Sequence, residues 1–128
     1  MIFPMNTIKQ LQKKSVSSLP LVSIIIPTYN DTQRLKNCLH ALQNQTYPSS
    51  RMEIVIVDNN STNDFSTLAR ESNAIFLHES IQSSYAARNT GAKHARGEIF
   101  AFIDSDCIPE PSWLRNGINS MINGSADY

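Results

Sequence analysis

The chain has 128 residues, of which 41% are hydrophobic, and its eleven basic side chains balance its eleven acidic ones. A chain of this length is expected to form one domain whose core is large enough to fold without disulfides or a structural metal. Because the charges cancel, the composition excludes an overall field that would attract nucleic acid or an acidic polymer. Cys38 and Cys107 lack the spacing of a zinc site or a disulfide framework, so we interpret them as free thiols.

The N-terminal residues and the absence of long apolar runs indicate where in the cell the protein is expected. No stretch approaches the roughly 18 to 20 apolar residues of a membrane span, and no signal-peptide core is present. We therefore expect a cytoplasmic protein, either free or peripheral to the inner face of the membrane. Residues 1–20 carry three lysines and no acid, and Ile8 and Leu11 are too few to form an apolar helix face, which predicts a flexible leader ahead of one domain over 21–128.

Four short runs rich in β-branched residues predict strands, at about 22–26, 54–57, 74–77 and 99–103. Their nearly continuous apolar character is typical of a parallel sheet that is buried on both faces. Helical stretches alternate with these runs, so we expect a doubly wound α/β fold with a mostly parallel sheet and helices on both faces. In such sheets, ligands bind at the carboxyl ends of the strands, where the strand order reverses.

Four helices are predicted from apolar periodicity and capping residues. The first covers about 31–45, and the second starts at Ser61, whose hydroxyl is expected to cap it. The third runs from about Ser84 to Arg96 and ends at Gly97 in a left-handed conformation, and the fourth begins at Pro111. Small residues recur every four positions along the third helix, at Ala87, Gly91 and Ala95, so this helix is expected to approach the sheet or a ligand closely.

Polar residues follow three of the predicted strands, at 27–31, 58–61 and 104–106. Any one of these segments alone is readily explained as a turn or a helix cap. Asp104 and Asp106 are harder to explain in that way, because residues two apart in an extended segment point to the same side. Paired carboxylates are tolerated best around a hard divalent cation, so the sequence predicts a Mg²⁺ or Mn²⁺ site here. Arg88, on the small-faced helix, is either a phosphate-binding side chain or a solvated surface arginine.

Taken together, four sequence blocks resemble the inverting family-2 glycosyltransferases of the GT-A type. In chain order the blocks are VSIIIPTYN, IVIVDNNSTND, AARNTG and ARGEIFAFIDSD, and they span about Val22 to Trp113. The resemblance implies binding of a nucleoside-diphosphate sugar, with UDP as the usual nucleotide. A dinucleotide-dependent oxidoreductase would instead need a glycine-rich turn after the first strand, and this chain has none.

The resemblance also implies roles for individual residues. Contacts to the base, ribose and diphosphate are implied for Pro27, Thr28, Tyr29, Asp58, Arg88, Asp104 and Ser105. Asp106 is implied as the direct metal ligand, with Asp104 beside it near the ribose. Two positions depart from the usual pattern, because Ser83 and Asn59 stand where many relatives have Gly and a second Asp. These departures leave the identity of the base open.

Inverting transfer also needs a general base that deprotonates the acceptor hydroxyl. The resemblance places that base beyond Tyr128, in an acceptor-binding half, so no catalytic residue is assigned within the chain. We expect a donor-binding domain that is inactive alone, that serves an unknown glycan or lipid-linked acceptor in polysaccharide biosynthesis, and that self-associates through an exposed edge. The alternative is a non-catalytic interaction or regulatory module with a vestigial nucleotide site.

Overall fold

The structure, a computed structural model, describes residues 2–4 and 19–124. The strands in chain order are β1 (Ile2–Pro4), β2 (Val22–Thr28), β3 (Met52–Asp58), β4 (Ile75–His78) and β5 (Ile99–Phe102). The helices are α1 (Thr32–Gln43), α2 (Ser66–Glu71), α3 (Ser84–His94) and α4 (Trp113–Ile122), and a single 3₁₀ turn spans Ser49–Arg51.

The five strands form one sheet in the order β1-β5-β2-β3-β4, in which β5, β2, β3 and β4 are parallel and β1 is antiparallel. The four predicted strands and the mostly parallel, doubly wound fold are therefore confirmed. The run of Ile24, Ile25 and Ile26 in β2 is fully buried because both faces of the sheet are covered. Ile24 and Ile26 lie in the larger core with α1 and α4, whereas Ile25 lies in a smaller core with α3.

The small residues of α3 place its backbone directly on the sheet, as predicted. Ala87 is fully buried, and a methyl group on Gly91 would lie 2.5 Å from Cγ2 of Ile25 and 3.1 Å from Cγ2 of Val57. Ser83 caps this helix, because its hydroxyl oxygen accepts a hydrogen bond from the Ala86 N–H. The departure from glycine at position 83 thus supplies a helix cap.

Two predicted helix boundaries are wrong. The second helix begins at Ser66 rather than Ser61, because the Ser61 hydroxyl accepts from the Asn30 N–H in a neighbouring loop and is not used as a cap. The fourth begins at Trp113, two residues after Pro111. In the first helix the Asp31 side chain caps the start at the Arg34 N–H, so the helix itself covers Thr32–Gln43.

The predicted role of Gly97 is also wrong. The third helix ends at His94, and among the residues that the structure describes, Gly124 is the glycine with a positive φ, of 73°. Gly97 matters for a different reason, because a Cβ there would lie 2.6 Å from both the backbone nitrogen and the hydroxyl of Ser23. A close approach of two chain segments, rather than a left-handed turn, requires glycine at this position.

The edge strand β1 was not predicted from the sequence, in which residues 1–20 were interpreted as a leader. Ile2 is 1% exposed and pairs with Ala101 of β5, so these residues belong to the sheet and the core. Residues 5–18 of the predicted leader lie outside the described residues, and the proposed domain boundary stays a prediction. Over residues 2–4 and 19–124, we find no helix with the length and apolar character that a membrane span requires.

Candidate functional site

The sheet reverses its strand order between β2 and β5. The chain moves outward from β2 through β3 to β4 and then returns to place β5 on the other side of β2. Parallel strands end at the same edge of the sheet, so the residues after β2 and those after β5 meet at this reversal. Ile103 marks the junction, because its N–H donates to the carbonyl of Ile25 in β2 and directly precedes Asp104.

A cavity of about 330 Å³ lies at this reversal. Its lining residues are Pro27, Thr28, Tyr29, Asp31, Arg34, Asn59, Ser84, Asp104, Ser105 and Asp106. Six of the predicted site residues are therefore brought together, three from the end of β2 and the residue after it and three from the segment after β5. Asp31, Arg34, Asn59 and Ser84 also line the cavity and were not among the predicted site residues, although Asp31 and Asn59 lie in the polar segments 27–31 and 58–61. Nothing in the spacing of Arg34 and Ser84 marks them, because α1 and α3 bring them to the cavity.

Thr28 is the most informative residue of the cavity wall. Its side chain is 2% exposed, and within the described part of the chain its Oγ1 is the one buried side-chain oxygen or nitrogen without a hydrogen-bond partner. Buried hydroxyls are nearly always hydrogen-bonded, because leaving one unpaired costs about 1–3 kcal/mol. Thr28 therefore adds an unpaired polar group to the residues that line the cavity.

The acidic residues after β5 converge through a turn. The N–H of Cys107 donates to the carbonyl of Asp104 at 3.0 Å, which closes a four-residue turn over 104–107. Carboxylate oxygens of Asp104 and Asp106 and the sulfur of Cys107 all lie within 4.8 Å of one another, and the three side chains are exposed. Our expectation that an extended backbone aligns the two carboxylates is wrong in its geometry, because β5 ends at Phe102 and the turn aligns them instead.

The oxygen-rich donor set of this turn fits a hard divalent cation. Asp104 and Asp106 are close enough to share one ion, and the neighbouring cavity leaves room for further oxygen ligands from water or phosphate. Cys107 is a third potential ligand that was not predicted from the sequence, although its position directly after the acidic pair is a visible signal. Burial, followed by the negative charges of Asp106 and Asp104, raises the pKa of the Cys107 thiol.

Arg88 contacts the acidic turn but does not line the 330 Å³ cavity. Its Nη2 lies 3.4 Å from Oδ1 of Asp104, with 42% and 62% of the two side chains exposed. Arg88 and Asp104 also line a second, largely apolar cavity of about 590 Å³ with Phe3, Phe102, Ile103, Cys107, Ile108, Pro109 and Trp113. Asp104 therefore stands between the two cavities and Arg88 approaches it from the apolar side.

Asp58 is buried behind the wall of the 330 Å³ cavity rather than in it. The side chain is 7% exposed, Oδ1 accepts from the Ser61 N–H at 3.1 Å, and Oδ2 lies 3.5 Å from Nδ1 of His78. These contacts hold the loop that follows β3. A contact between Asp58 and a base stays a prediction.

Asn59 fixes the loops around the cavity. Its backbone N–H donates to the carbonyl of Thr28 at 2.8 Å, and its side-chain nitrogen donates to the carbonyls of Glu79 and Ile81 at 3.2 and 2.6 Å. A carboxylate could accept but not donate these bonds. The presence of Asn rather than Asp at position 59 is therefore explained by the hydrogen bonds that its amide donates to the loop after β4.

Asn30 ties the loop after β2 to the loop after β3. Its φ is 50°, and its Oδ1 accepts from the backbone nitrogens of Thr62 and Asn63 at 2.8 and 3.3 Å. Ser61 completes the link by accepting from the Asn30 N–H. The polar residues after β2 and β3 thus serve mainly to hold two loops together beside the cavity.

The fold, with an acidic turn at the reversal of a mostly parallel sheet, defines a Rossmann-like α/β domain of the GT-A type. Residues 23–128 match the sequence profile of the family described as Glycosyl transferase family 2, which covers most of the chain. The chain belongs to the family-2 glycosyltransferases.

Individual relatives agree with this assignment. The glycosyltransferase AglE of Haloferax volcanii is 40% identical over 117 residues, which cover 87% of this chain and 38% of AglE. The dolichyl N-acetyl-α-D-glucosaminyl phosphate 3-β-D-2,3-diacetamido-2,3-dideoxy-β-D-glucuronosyltransferase of Methanococcus voltae is 33% identical over 107 residues, or 77% of this chain and 33% of that protein. The chain thus spans less than two fifths of the length of these relatives.

Solved structures show the same fold. The mannosyltransferase PcManGT from Pyrobaculum calidifontis, in complex with GDP-Man and Mn²⁺, superposes with a TM-score of 0.72 at 28% identity over 87% of this chain and 36% of PcManGT. S. aureus TarS 1–349 in complex with UDP-GlcNAc gives a TM-score of 0.69 at 27% identity over 80% of this chain and 31% of TarS 1–349.

Proposed function

We propose that this chain binds a nucleoside-diphosphate sugar, together with Mn²⁺ or Mg²⁺, in the 330 Å³ cavity and provides the donor site for inverting glycosyl transfer. The observation that carries the proposal is the unpaired, buried hydroxyl of Thr28 on the same cavity wall as Asp104 and Asp106. A nucleotide sugar offers hydroxyl and carbonyl groups for Thr28 and a diphosphate for a cation held by the two carboxylates. No apolar ligand would satisfy both features.

Each wall of the cavity has its own task in this proposal. Pro27, Thr28 and the half-exposed Tyr29 contact the base and ribose, and Ser105 contacts the diphosphate. Asp106 and Asp104 hold the cation, which when bound offsets the negative charge that develops on the departing diphosphate. Their placement in one hydrogen-bonded turn brings both carboxylates to the same part of the cavity wall.

Arg88 acts on the site through Asp104, because it approaches the turn from the apolar cavity and not from the 330 Å³ cavity. Its guanidinium, 3.4 Å from Asp104, holds that carboxylate beside Asp106 and offsets part of the repulsion between the two acids. Asp58 supports the base by holding the loop that carries Asn59. We therefore expect Asp106 and Thr28 to contribute more than Asp58 to the affinity for the nucleoside-diphosphate sugar.

The proposal covers the donor half of the reaction. Three carboxylates line the cavity among the described residues, and Asp31 is already engaged as the cap of α1 and the ion-pair partner of Arg34. Asp104 and Asp106 are assigned to the cation. We therefore propose that a different segment supplies the base that deprotonates the acceptor, and that residues 2–4 and 19–124 by themselves bind donor without transferring sugar.

The identity of the nucleotide in the donor is a further part of the proposal. The family resemblance favours UDP, and TarS 1–349 has been solved with UDP-GlcNAc, whereas PcManGT has been solved with GDP-Man. We propose UDP for this chain. A direct comparison of UDP and GDP under the same conditions decides between them.

Isothermal calorimetry on the 128-residue chain tests the proposal. UDP and GDP are titrated with and without Mn²⁺, into the wild-type chain and into the variants Asp106→Asn and Glu71→Gln. Glu71 is an exposed carboxylate at the end of α2, away from the cavity, so its variant is a control for the loss of one negative charge. We expect Mn²⁺-dependent binding of UDP that Asp106→Asn abolishes and Glu71→Gln leaves unchanged; binding without metal, or none at all, contradicts the proposal.

A further inference from the structure

Arg34 is the one basic residue among the side chains that line the 330 Å³ cavity, and the proposed donor site leaves it without a role. Three carboxylates share the wall with it, those of Asp31, Asp104 and Asp106. Arg88 lines the apolar cavity instead. An anionic ligand in the 330 Å³ cavity therefore meets a single side-chain cation.

Asp31 holds Arg34 at two points. Its Oδ1 accepts from the Arg34 backbone N–H at 3.0 Å, which caps α1, and its Oδ2 lies 3.1 Å from Nε of the guanidinium. Within residues 2–4 and 19–124, neither Nη atom of Arg34 has a hydrogen bond, and 64% of the side chain is exposed. The guanidinium is therefore anchored on its Nε side, while both Nη groups keep their N–H donors for a ligand.

The start of α1 requires Asp31 but does not require an arginine at position 34. The cap uses only the backbone N–H of residue 34, which every residue except proline provides. The side-chain ion pair is exposed, and such pairs contribute little to stability. Arg34 is thus a charged side chain on the cavity wall that the fold does not need, which makes it a candidate for ligand binding.

The charge balance of the proposed donor site indicates which group of the ligand Arg34 would contact. A divalent cation offsets the carboxylates of Asp104 and Asp106, and the diphosphate then adds a negative charge on each phosphate. In the described part of the chain, no basic side chain other than Arg34 lines the cavity to meet that charge. A carboxylate on the donor sugar would only add a further negative charge. The diphosphate is therefore the favoured partner.

We infer that Arg34 binds the diphosphate of the donor through its two Nη groups, while Asp31 holds Nε. The inference rests on the proposed function, because it assumes that a nucleoside-diphosphate sugar occupies the cavity. The planar fork of arginine matches two phosphate oxygens at once, which the ammonium group of lysine does not. Arg34 belongs to α1, whereas the proposed cation is held by the turn after β5, so two separate elements of the fold bind the diphosphate.

Calorimetric titration of the 128-residue chain with UDP in the presence of Mn²⁺ tests the inference. The wild-type chain is compared with Arg34→Gln, Arg34→Lys and Lys36→Gln. Lys36 is an exposed residue of α1 that does not line the cavity, so its variant removes one positive charge from the same helix. We expect Arg34→Gln to weaken UDP binding by about tenfold or more, because a hydrogen bond to a charged group is worth at least that factor. Arg34→Lys should recover only part of the loss, and Lys36→Gln should change the affinity less than about twofold.

Uridine separates a contact with the diphosphate from a structural role of Arg34. Uridine has the same base and ribose as UDP but no phosphate, and NMR titration is suited to its weaker binding. We expect wild type and Arg34→Gln to bind uridine with affinities within about twofold of each other. A loss of uridine affinity as large as the loss of UDP affinity would show that Arg34 only supports the cavity wall, which overturns the inference.

The remaining outcomes separate this inference from the proposed function. If wild type and Arg34→Gln bind UDP equally well with Mn²⁺, Arg34 does not contact the diphosphate and the donor site still stands. If Arg34→Gln then weakens only UDP-glucuronic acid and not UDP-glucose, Arg34 binds a sugar carboxylate instead, and the inference is again wrong. If GDP binds and UDP does not, the same comparison is made with GDP and guanosine. A wild-type chain that binds neither nucleotide with Mn²⁺ refutes the proposed function, and this inference with it.

Discussion

The guanidinium of Arg88 lies 3.4 Å from the carboxylate of Asp104, and this contact joins α3 to the acidic turn after β5. It places a positive charge next to Asp104, on the side of the turn that faces away from the proposed cation site. Arg88 and the cation therefore compete for Asp104, although both help to hold the turn. The pair is half-exposed, so its own contribution to stability is small.

This competition predicts opposite effects of Arg88→Gln on two ligands. Affinity for Mn²⁺ alone is expected to rise, by less than about fivefold, because an exposed ion pair is worth about 0.2–1 kcal/mol. Affinity for UDP in the presence of Mn²⁺ is expected to fall, because Asp104 loses the group that positions it. Calorimetric titrations of both ligands check the prediction, with Arg70→Gln on α2 as the control, and a parallel change in both affinities would contradict it.

Thr28→Val is expected to weaken nucleotide binding and to stabilise the folded protein. The substitution keeps the shape of the side chain and removes a buried hydroxyl without a partner, so we expect the free energy of unfolding to rise by up to about 1–3 kcal/mol. Binding of UDP is expected to weaken, because the hydroxyl is proposed to bond the nucleotide. Ser23→Ala is the matched control: the Ser23 hydroxyl donates to Glu53 and accepts from the Gly97 N–H, so this variant should lose stability. Denaturant unfolding and calorimetry on both variants provide the comparison.

Asn59→Asp is expected to destabilise the protein by about 1–3 kcal/mol at neutral pH. An ionised carboxylate at this buried position would face the carbonyls of Glu79 and Ile81 without a donor between them. Stability should recover in part as the pH falls, because a protonated carboxyl regains one donor. Denaturant midpoints at several pH values measure this, and Asn116→Asp, at an exposed position of α4, should show no such recovery.

Glu79 gives a prediction about pH. The Thr90 hydroxyl, then the Ile81 N–H, hold the pKa of the Glu79 carboxyl below its ordinary value of 4.5. Because the folded pKa is depressed, the stabilising contribution is present above about pH 4.5 and is lost as the pH falls through the folded pKa. Thr90→Val should raise the pKa of Glu79 toward 4.5, as followed by NMR titration of the side-chain carboxyl. An unchanged titration curve would show that the Thr90 hydroxyl does not set this pKa.

The parts of the site that the sequence predicted are those fixed by strand order alone. Parallel strands end at one edge, so the pattern of strands and helices was enough to place polar residues at the end of β2 and after β5, such as Thr28 and Asp106, side by side. The parts that failed depend on contacts between distant segments. Ser61 looked like a helix cap but bonds Asn30, 31 residues away, and Gly97 looked like a helix terminus but fits against Ser23, 74 residues away.

The sequence by itself determined the four parallel strands, the family and the identity of the acidic pair. Local runs of buried β-branched residues and a short motif are sufficient for these, because they depend on neighbouring positions in the chain. The structure alone decided that a turn aligns Asp104 with Asp106, with Cys107 beside them, and that residues 2–4 complete the sheet. The turn is local, but its backbone geometry was not fixed by the residue pattern, whereas β1 pairs with β5 only when segments far apart in the chain are packed together.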